Sequence, residues 1–153
     1  MIQYEELNPE TVRRYRSEIA RFYYGNMQTC SCLEHFTFEQ AYEKIGDLIA
    51  HLSTNTCIAY CAFEGEKLVG YIWAYQHPFR EELRMYVNEC SVKEEYRGRG
   101  IGSALIALVE ARAKQVGLPA VYLHAEAGSA DALRFYESNG YREERIQFRK
   151  EIL

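Results

Sequence analysis

The stretch Arg97-Gly98-Arg99-Gly100-Ile101-Gly102 decides how this chain folds. Three glycines alternate there with two arginines and an isoleucine. A strand-like run ends just before them at Val92, and a helical run opens within them at Ile101. The first turn of a helix carries unpaired N–H groups and a partial positive charge. Glycine lets an anion come close to that backbone and permits left-handed dihedrals. Arg97 and Arg99 add formal positive charge. The segment therefore reads as an anion-binding turn, against the plainer alternative of a tight turn with two solvated arginines.

Two phosphate-binding patterns fit poorly. A P-loop needs Gly-x4-Gly-Lys followed by Ser or Thr, and no such lysine is present. The dinucleotide fingerprint needs Gly or Ala at its sixth position, where this chain has Ser103. Glu126, closing the next strand-like run, would suit a ribose, but too little chain follows to complete a doubly wound sheet.

Working outward, Leu83–Val92 reads as the strand feeding the turn. Thr56–Phe63 and Lys67–Gln76, rich in Ile, Val, Tyr and Cys, read as a hairpin joined at Glu64-Gly65-Glu66. Ile2–Glu6 can form a first strand. Asn8-Pro9-Glu10 is a helix start, and Val12, Tyr15, Ile19, Phe22 and Tyr23 recur at helical spacing, predicting one helix to about Tyr24. Residues 25–37 show no period and read as a functional loop. A second helix runs from Thr37 or Phe38 to about Leu52. Beyond the turn, Ile101, Leu105, Leu108, Val109 and Val116 share a helix face that ends at Gly117 and Pro119. Ala120–Glu126 reads as a strand, Asp131–Asn139 as a short helix and Tyr141–Ile152 as a last strand. The expected class is α/β: one domain over 1–153, with a mixed, mainly antiparallel sheet and helices on both faces.

Composition narrows the function. In 153 residues, 48% are apolar and 26% charged, which excludes a disordered or collagen-like chain. No apolar run approaches membrane-spanning length, and MIQYEELNPE has neither a basic nor an apolar signal region, so a cytoplasmic protein is expected. A net charge of -4 argues against a nucleic-acid binder. The five cysteines, 30, 32, 57, 61 and 90, lack the paired spacing of a metal site and read as reduced thiols.

Arg97-x-x-Gly100-x-Gly102 resembles the pyrophosphate loop, Arg/Gln-x-x-Gly-x-Gly/Ala, of the GCN5-related N-acetyltransferases. Ala132-Leu133-Arg134-Phe135-Tyr136, followed by Gly140-Tyr141, resembles that family's second motif, Asn-x-x-Ala-x-x-Phe-Tyr-x-x-x-Gly-Phe. One helix and one strand separate the two motifs, and the resemblance spans about residues 84–151, a little under half the chain. Ser129 stands where the family usually has Asn, and Tyr141 where Phe is common. The departure at Ser129 bears on a polar contact to the pantetheine arm.

The resemblance implies acetyl-CoA as acyl donor; the cysteine and histidine spacing gives no expectation of a metal. Its pyrophosphate would rest on the backbone N–H groups of Arg97, Gly98, Arg99, Gly100, Ile101, Gly102 and Ser103. Strands Leu83–Val92 and Ala120–Glu126 would splay apart, and pantetheine would pair with the freed backbone of Cys90, Ser91 and Val92. Ser129, Ala132 and Phe135 would complete the donor site. Tyr136 occupies the family's general-acid position. Its residue type suits the role, since a tyrosine is protonated at neutral pH. By composition alone it would pass as a core residue, one of thirteen tyrosines.

For the base, Glu89 is the candidate: strand alternation sets Glu89 and Ser91 on the face opposite Cys90 and Val92. Its plainer reading is a surface carboxylate. Tyr86, His124 and a water chain are weaker alternatives. The acceptor would be a primary amine of a small molecule or peptide, met by Met27, Glu34, His35, Phe36, Glu39 and the Trp73–Phe79 strand end through cation–π contact and ion pairing. Ordinary aromatic packing is the alternative there. Arg13, Arg14, Arg16 and Arg21 are expected to ion-pair with Glu10 or Glu18. A homodimer is common in the family. The competing function is a non-catalytic acyl-CoA-binding or sensing module, which would bind CoA without turning it over.

Overall fold

A computed structural model describes residues 1–28 and 35–153 of the chain. Cys30, Cys32 and Glu34 lie outside the described residues. The elements are β1 (Ile2–Glu6), α1 (Pro9–Arg14), α2 (Arg16–Met27), α3 (Phe38–Ser53), β2 (Cys57–Glu64), β3 (Lys67–Phe79), β4 (Glu82–Val92), a single 3-10 turn (Glu94–Tyr96), α4 (Ile101–Gln115), β5 (Val121–Tyr122) and α5 (Ala130–Ser138). They build one five-stranded sheet in the order β1-β2-β3-β4-β5, antiparallel throughout except for the parallel pair β4–β5.

Local chemistry sets the boundaries. Asn8 caps α1 by accepting from the Thr11 N–H at 2.9 Å, with Pro9 in the first helical position. Thr37 and Gln40 form a reciprocal capping box at the start of α3. The expected first helix is divided: Tyr15, at φ -102° and ψ 17°, closes α1 and opens α2. Gly65, at φ +60°, takes the left-handed position in the β2–β3 hairpin.

Alternation along the strands sorts the apolar residues onto two faces. Ala59, Cys61, Phe63, Leu68, Tyr71 and Trp73 meet Ile19 of α2 and Ile45, Leu48 and Ile49 of α3. Tyr60, Ala62, Val69, Ile72, Ala74, Met85 and Val87 meet Ile101, Leu105, Ile106 and Val109 of α4, with Phe135 and Tyr136 of α5 beside them. Helices thus cover both faces, as expected.

Two expected strands differ. β5 forms a ladder over Val121–Tyr122 alone, not to Glu126, because the chain leaves β4 at that point and has no partner to pair with. Residues 141–153 form no strand: they have no ladder partner among the described residues, and from Arg142 onward every residue is exposed.

Candidate active site

The irregularities of β4 build the site. Trp73 faces Glu89, yet its neighbour Ala74 faces Val87, so Asn88 is one residue too many on β4. Such a bulge reverses which face the following side chains take. Met85 and Val87 point into the core under α4, while Glu89 and Ser91 turn to the α2 side. Without it, the alternation through 85 and 87 would drive the Glu89 carboxylate into the apolar core under α4.

Parting of the parallel strands is the second feature. Met85 pairs with Val121 and Tyr86 with Tyr122, and the Met85 N–H donates to the Ala120 carbonyl at 3.0 Å. Beyond Tyr86 the ladder stops while β4 continues to Val92. Residues 87–92, which include Cys90, Ser91 and Val92, thus present a strand edge without a β5 partner. Such an edge can take an extended polar chain through main-chain hydrogen bonds.

At the end of this edge lies the glycine turn. Gly98 (φ +74°) and Gly100 (φ +78°) both take left-handed conformations that a Cβ would strain. Gly100 is the N-cap of α4, and having no side chain it leaves the first-turn N–H groups uncapped. The first helical bond, Ala104 N–H to the Gly100 carbonyl at 3.0 Å, closes only after Ile101, Gly102 and Ser103, whose N–H groups lie ahead of it. Arg97 is held to the strand end by Nε donation to the Val92 carbonyl at 3.1 Å. The Arg99 guanidinium stacks 4.8 Å from the Tyr96 ring, and Tyr96 donates to Glu64 at 2.6 Å. Ile101 anchors the turn in the core at 2% exposure.

The two sequence motifs meet in space. A Cβ on Gly102 would come within 3.0 and 3.1 Å of the Phe135 ring, so that glycine is what lets α5 lie against the start of α4. Phe135 contacts the Tyr136 ring (centroids 5.0 Å apart), and Tyr136 contacts Tyr141 (5.9 Å). Ser129 caps α5, its hydroxyl accepting from the Ala132 N–H at 3.4 Å. Ser129 and Ala132 thus sit at the start of α5, and the link from this helix to the glycine turn runs through Phe135.

Glu89 is the chemically unusual group. It is 8% exposed and accepts a hydrogen bond from the Asn26 side chain of α2. Burial drives its pKa from 4.5 to about 8, and Asn26 only partly opposes the rise. Its field reaches four phenols. Tyr23, Tyr71, Tyr86 and Tyr136 are each raised, first by burial, with Glu89 contributing to every one. For Tyr136 the Cys90 thiol adds to the rise, and burial takes Cys90 itself up to about 12. Tyr136 is thereby a neutral O–H donor and Cys90 an inert thiol. The Tyr71 hydroxyl is fully buried and has no hydrogen-bond partner among the described residues.

Next to Glu89 on the same face stand Tyr75 and Tyr86, 5.3 Å apart, and Tyr86 contacts Tyr122 at 5.0 Å. His124 Nδ1 lies 3.2 Å from the Tyr86 hydroxyl, and His77 Nδ1 lies 2.6 Å from that of Tyr122. The three candidate bases Glu89, Tyr86 and His124 therefore border one region.

A groove of about 340 Å³ separates α2 from the end of β4, lined by Arg21, Phe22, Asn26, Ser91, Lys93 and Arg97 among others. The sequence alone gives Arg21, Asn26 and Lys93 no part in this groove. Helical spacing made Arg21 look like a local ion-pair partner, and nothing in the sequence joins α2 to β4. The expected pairing of the early arginines with Glu10 or Glu18 is not found among the described residues; Arg16 instead donates to the Tyr42 carbonyl at 2.8 and 3.0 Å. A larger cavity, about 430 Å³, lies away from all this, between the end of α4 and Val121.

Comparison with known proteins agrees with this geometry. The model of the acetyltransferase (GNAT) family matches residues 15–141. This chain belongs to that family. It is an N-acetyltransferase by membership, and the family's members draw their acetyl group from acetyl-CoA. An uncharacterized N-acetyltransferase of Bacillus subtilis, YdgE, is 24% identical over 152 residues, covering 97% of this chain and 96% of its own. An aminoglycoside acetyltransferase from an uncultured soil metagenomic sample, solved with sisomicin, superposes with TM-score 0.76 at 18% identity, covering 99% of this chain and 97% of that one. AAC(6')-Iy, solved with a bisubstrate analogue of CoA, superposes with TM-score 0.75 at 13% identity, covering 100% of this chain and 99% of that one. At these identities the two structures speak for the GNAT fold alone. Among the described residues no helix is long and apolar enough to cross a membrane.

Proposed function

We propose that this GNAT protein transfers an acetyl group from acetyl-CoA to a primary amine, of a small molecule or a peptide, by direct attack within a ternary complex. The observation that carries the reading is Glu89: a buried carboxyl with a pKa near 8, turned by a bulge onto the part of β4 where β5 has departed. A base poised near the working pH is what removal of a proton from an ammonium requires.

In this reading the pyrophosphate of acetyl-CoA rests on the uncapped N–H groups of Ile101, Gly102 and Ser103, between Arg97 and Arg99. Pantetheine lies along the free edge at Cys90–Val92, which brings the thioester beside Glu89 and Tyr136. Glu89 takes the ammonium proton, and the amine lone pair attacks the thioester carbon. Backbone N–H groups of the open β4 edge steady the oxyanion. The C–S bond breaks, the Tyr136 hydroxyl gives its proton to the departing thiolate, and the products are an N-acetyl amide and free CoA. The second proton of the nitrogen returns Tyr136 to its neutral form, directly or through solvent, and Glu89 releases its own proton to water. The rings of Tyr23, Tyr75, Tyr86 and Tyr122, with Glu89 among them, form the wall met by the acceptor's cationic end.

A thermal-shift titration with acetyl-CoA, CoA and NAD(H), followed by a free-thiol assay over an amine panel, tests this. Stabilisation by the CoA species alone, then thiol release with one class of amine, is the expected outcome. Stabilisation by NAD(H) without CoA would overturn it. Binding without thiol release from any amine would favour the sensing module.

A further inference from the structure

Tyr71 carries a hydroxyl that the fold itself does not use. The side chain is wholly buried on the face of β3 that α2 covers, and its oxygen meets no hydrogen-bond partner among the described residues. Buried hydroxyls are nearly always paired, and a phenylalanine would fill the same space without leaving a polar group unmet.

Strand register puts a needy group beside it. Tyr71 lies opposite Ser91, and Trp73 opposite Glu89, so Tyr71 and Glu89 are diagonal neighbours on one face of β3 and β4. Diagonal neighbours lie within reach of side chains as long as these. Helix α2 closes over both at once. Its Phe22 ring stands 5.7 Å from the Tyr71 ring, and Asn26, one turn further along, donates to Glu89 Oε1. No donor among the described residues reaches Oε2. The other groups on which Glu89 acts are Tyr23 of α2, Tyr86 and Cys90 of β4 and Tyr136 of α5. Those three tyrosines are only half-buried, and a thiol is a weak donor. Opposite Tyr71 on β2 stands another thiol, Cys61, also a weak partner. Burial first, then Glu89, hold the Tyr71 phenol far above its ordinary range, so it keeps its proton.

We infer that Tyr71 is a positioning residue for the proposed base: its hydroxyl donates to the Glu89 carboxylate once Glu89 has ionised, as the second donor beside Asn26. A carboxylate draws donors that a neutral carboxyl does not, so the bond forms on ionisation, by a turn of the glutamate side chain or across one water. No proton leaves Tyr71. The acceptor's proton passes to Glu89, the carboxyl becomes neutral, and the phenol keeps its own hydrogen while its bond to Glu89 loosens. The role rests on Glu89 acting as the base.

The test is Tyr71→Phe in the full chain, read by NMR of the isotope-labelled Glu89 carboxyl, which is assigned by its absence in Glu89→Gln. The carboxyl should titrate near 8 in the unaltered chain and about one pH unit higher in the variant, a roughly tenfold loss in its ionisation constant. The rising limb of kcat/KM should move up with it. Tm near pH 5 should be unchanged or raised, because the variant has no unmet hydroxyl. Between about pH 7 and 10 it should fall relative to the unaltered chain, which holds the Glu89 charge more easily. A hydroxyl with a structural role alone would change Tm equally at every pH and leave the titration in place. If the variant does not fold, the Tyr71 Cζ resonance of the unaltered chain carries the test: it should shift with the midpoint of Glu89 and stay still in Glu89→Gln. A carboxyl that titrates at the same pH or lower without the hydroxyl, a Glu89 that titrates near 4.5 in the unaltered chain, or a Tyr71 resonance blind to Glu89 would each overturn the inference. A titration that shifts while the kcat/KM limb stays still would show that Glu89 is not the base, and the role of Tyr71 would fall with that reading.

Discussion

Glu89→Gln should make this protein more stable and less active, and the gain in stability should depend on pH in a defined way. A carboxyl whose pKa is higher in the folded chain than in the unfolded chain holds its proton more tightly when folded. Between 4.5 and about 8 the native state therefore binds more protons than the unfolded state. Stability falls as pH rises through that window and levels off above it. At about 1.4 kcal/mol per pH unit, the interval corresponds to a ceiling of about 5 kcal/mol for holding Glu89 ionised at high pH. Glutamine keeps the shape and still accepts from Asn26, but its own N–H₂ group needs a partner, so about 1–3 kcal/mol should be recovered. For a domain of this size that amounts to about 3–10 °C in Tm at pH 9, shrinking to near zero at pH 5. Thermal melts of both proteins at pH 5, 7 and 9 measure it directly. In the proposed mechanism the same substitution removes the base, so kcat should fall by about 10²–10⁴-fold and the activity limb rising toward pH 8 should vanish. A Tm difference that is flat with pH, or a wild-type protein more stable than the variant at pH 9, would refute the reasoning about Glu89. Activity that keeps its pH profile would remove Glu89 from the chemistry.

Other outcomes follow from the same geometry. Tyr136→Phe should lower kcat by about 10²-fold or more while leaving the thermal shift by acetyl-CoA unchanged; an unaltered kcat would exclude Tyr136 as the acid. Gly100→Glu should abolish the acetyl-CoA shift, since it sets a carboxylate at the N-terminus of α4 and forces a side chain onto φ +78°. Retained binding, measured by calorimetry, would move the phosphate site elsewhere. Gly102→Ala should raise KM for acetyl-CoA by roughly 3- to 10-fold, as the new methyl displaces Phe135. Its Tm should change little, because the gain of about 1 kcal/mol in helix propensity offsets the crowding.

The glycine turn was legible because its physics is local. A helix start, flexible backbone and adjacent cations are all specified within a few residues, and the structure shows Gly98 and Gly100 in the left-handed conformations that only glycine takes readily. The hairpin at Gly65, the capping box at Thr37 and the helix over Ile101–Gln115 were readable for the same reason. The break at Tyr15 was not, because the apolar spacing runs on across it. Glu89 was half readable: alternation gave its face relative to Cys90, but neither the bulge at Asn88 nor the partner Asn26 leaves a mark in the sequence. Arg21 and Lys93 joined the groove only once α2 was laid against β4.

The sequence by itself determined the two motifs, the alternation of strands and helices, and the glycine turn that opens α4, since each depends on residues near one another along the chain. Tertiary structure decided three other things: that Gly102 and Phe135 touch, that β5 leaves β4 after Tyr122, and that Glu89 is buried deeply enough to titrate near 8. A pKa depends on what surrounds a group, and a strand's length depends on whether a partner is there to pair with it. Residues 141–153 show this most plainly: their pattern is that of a strand, and only a neighbouring edge can make them one.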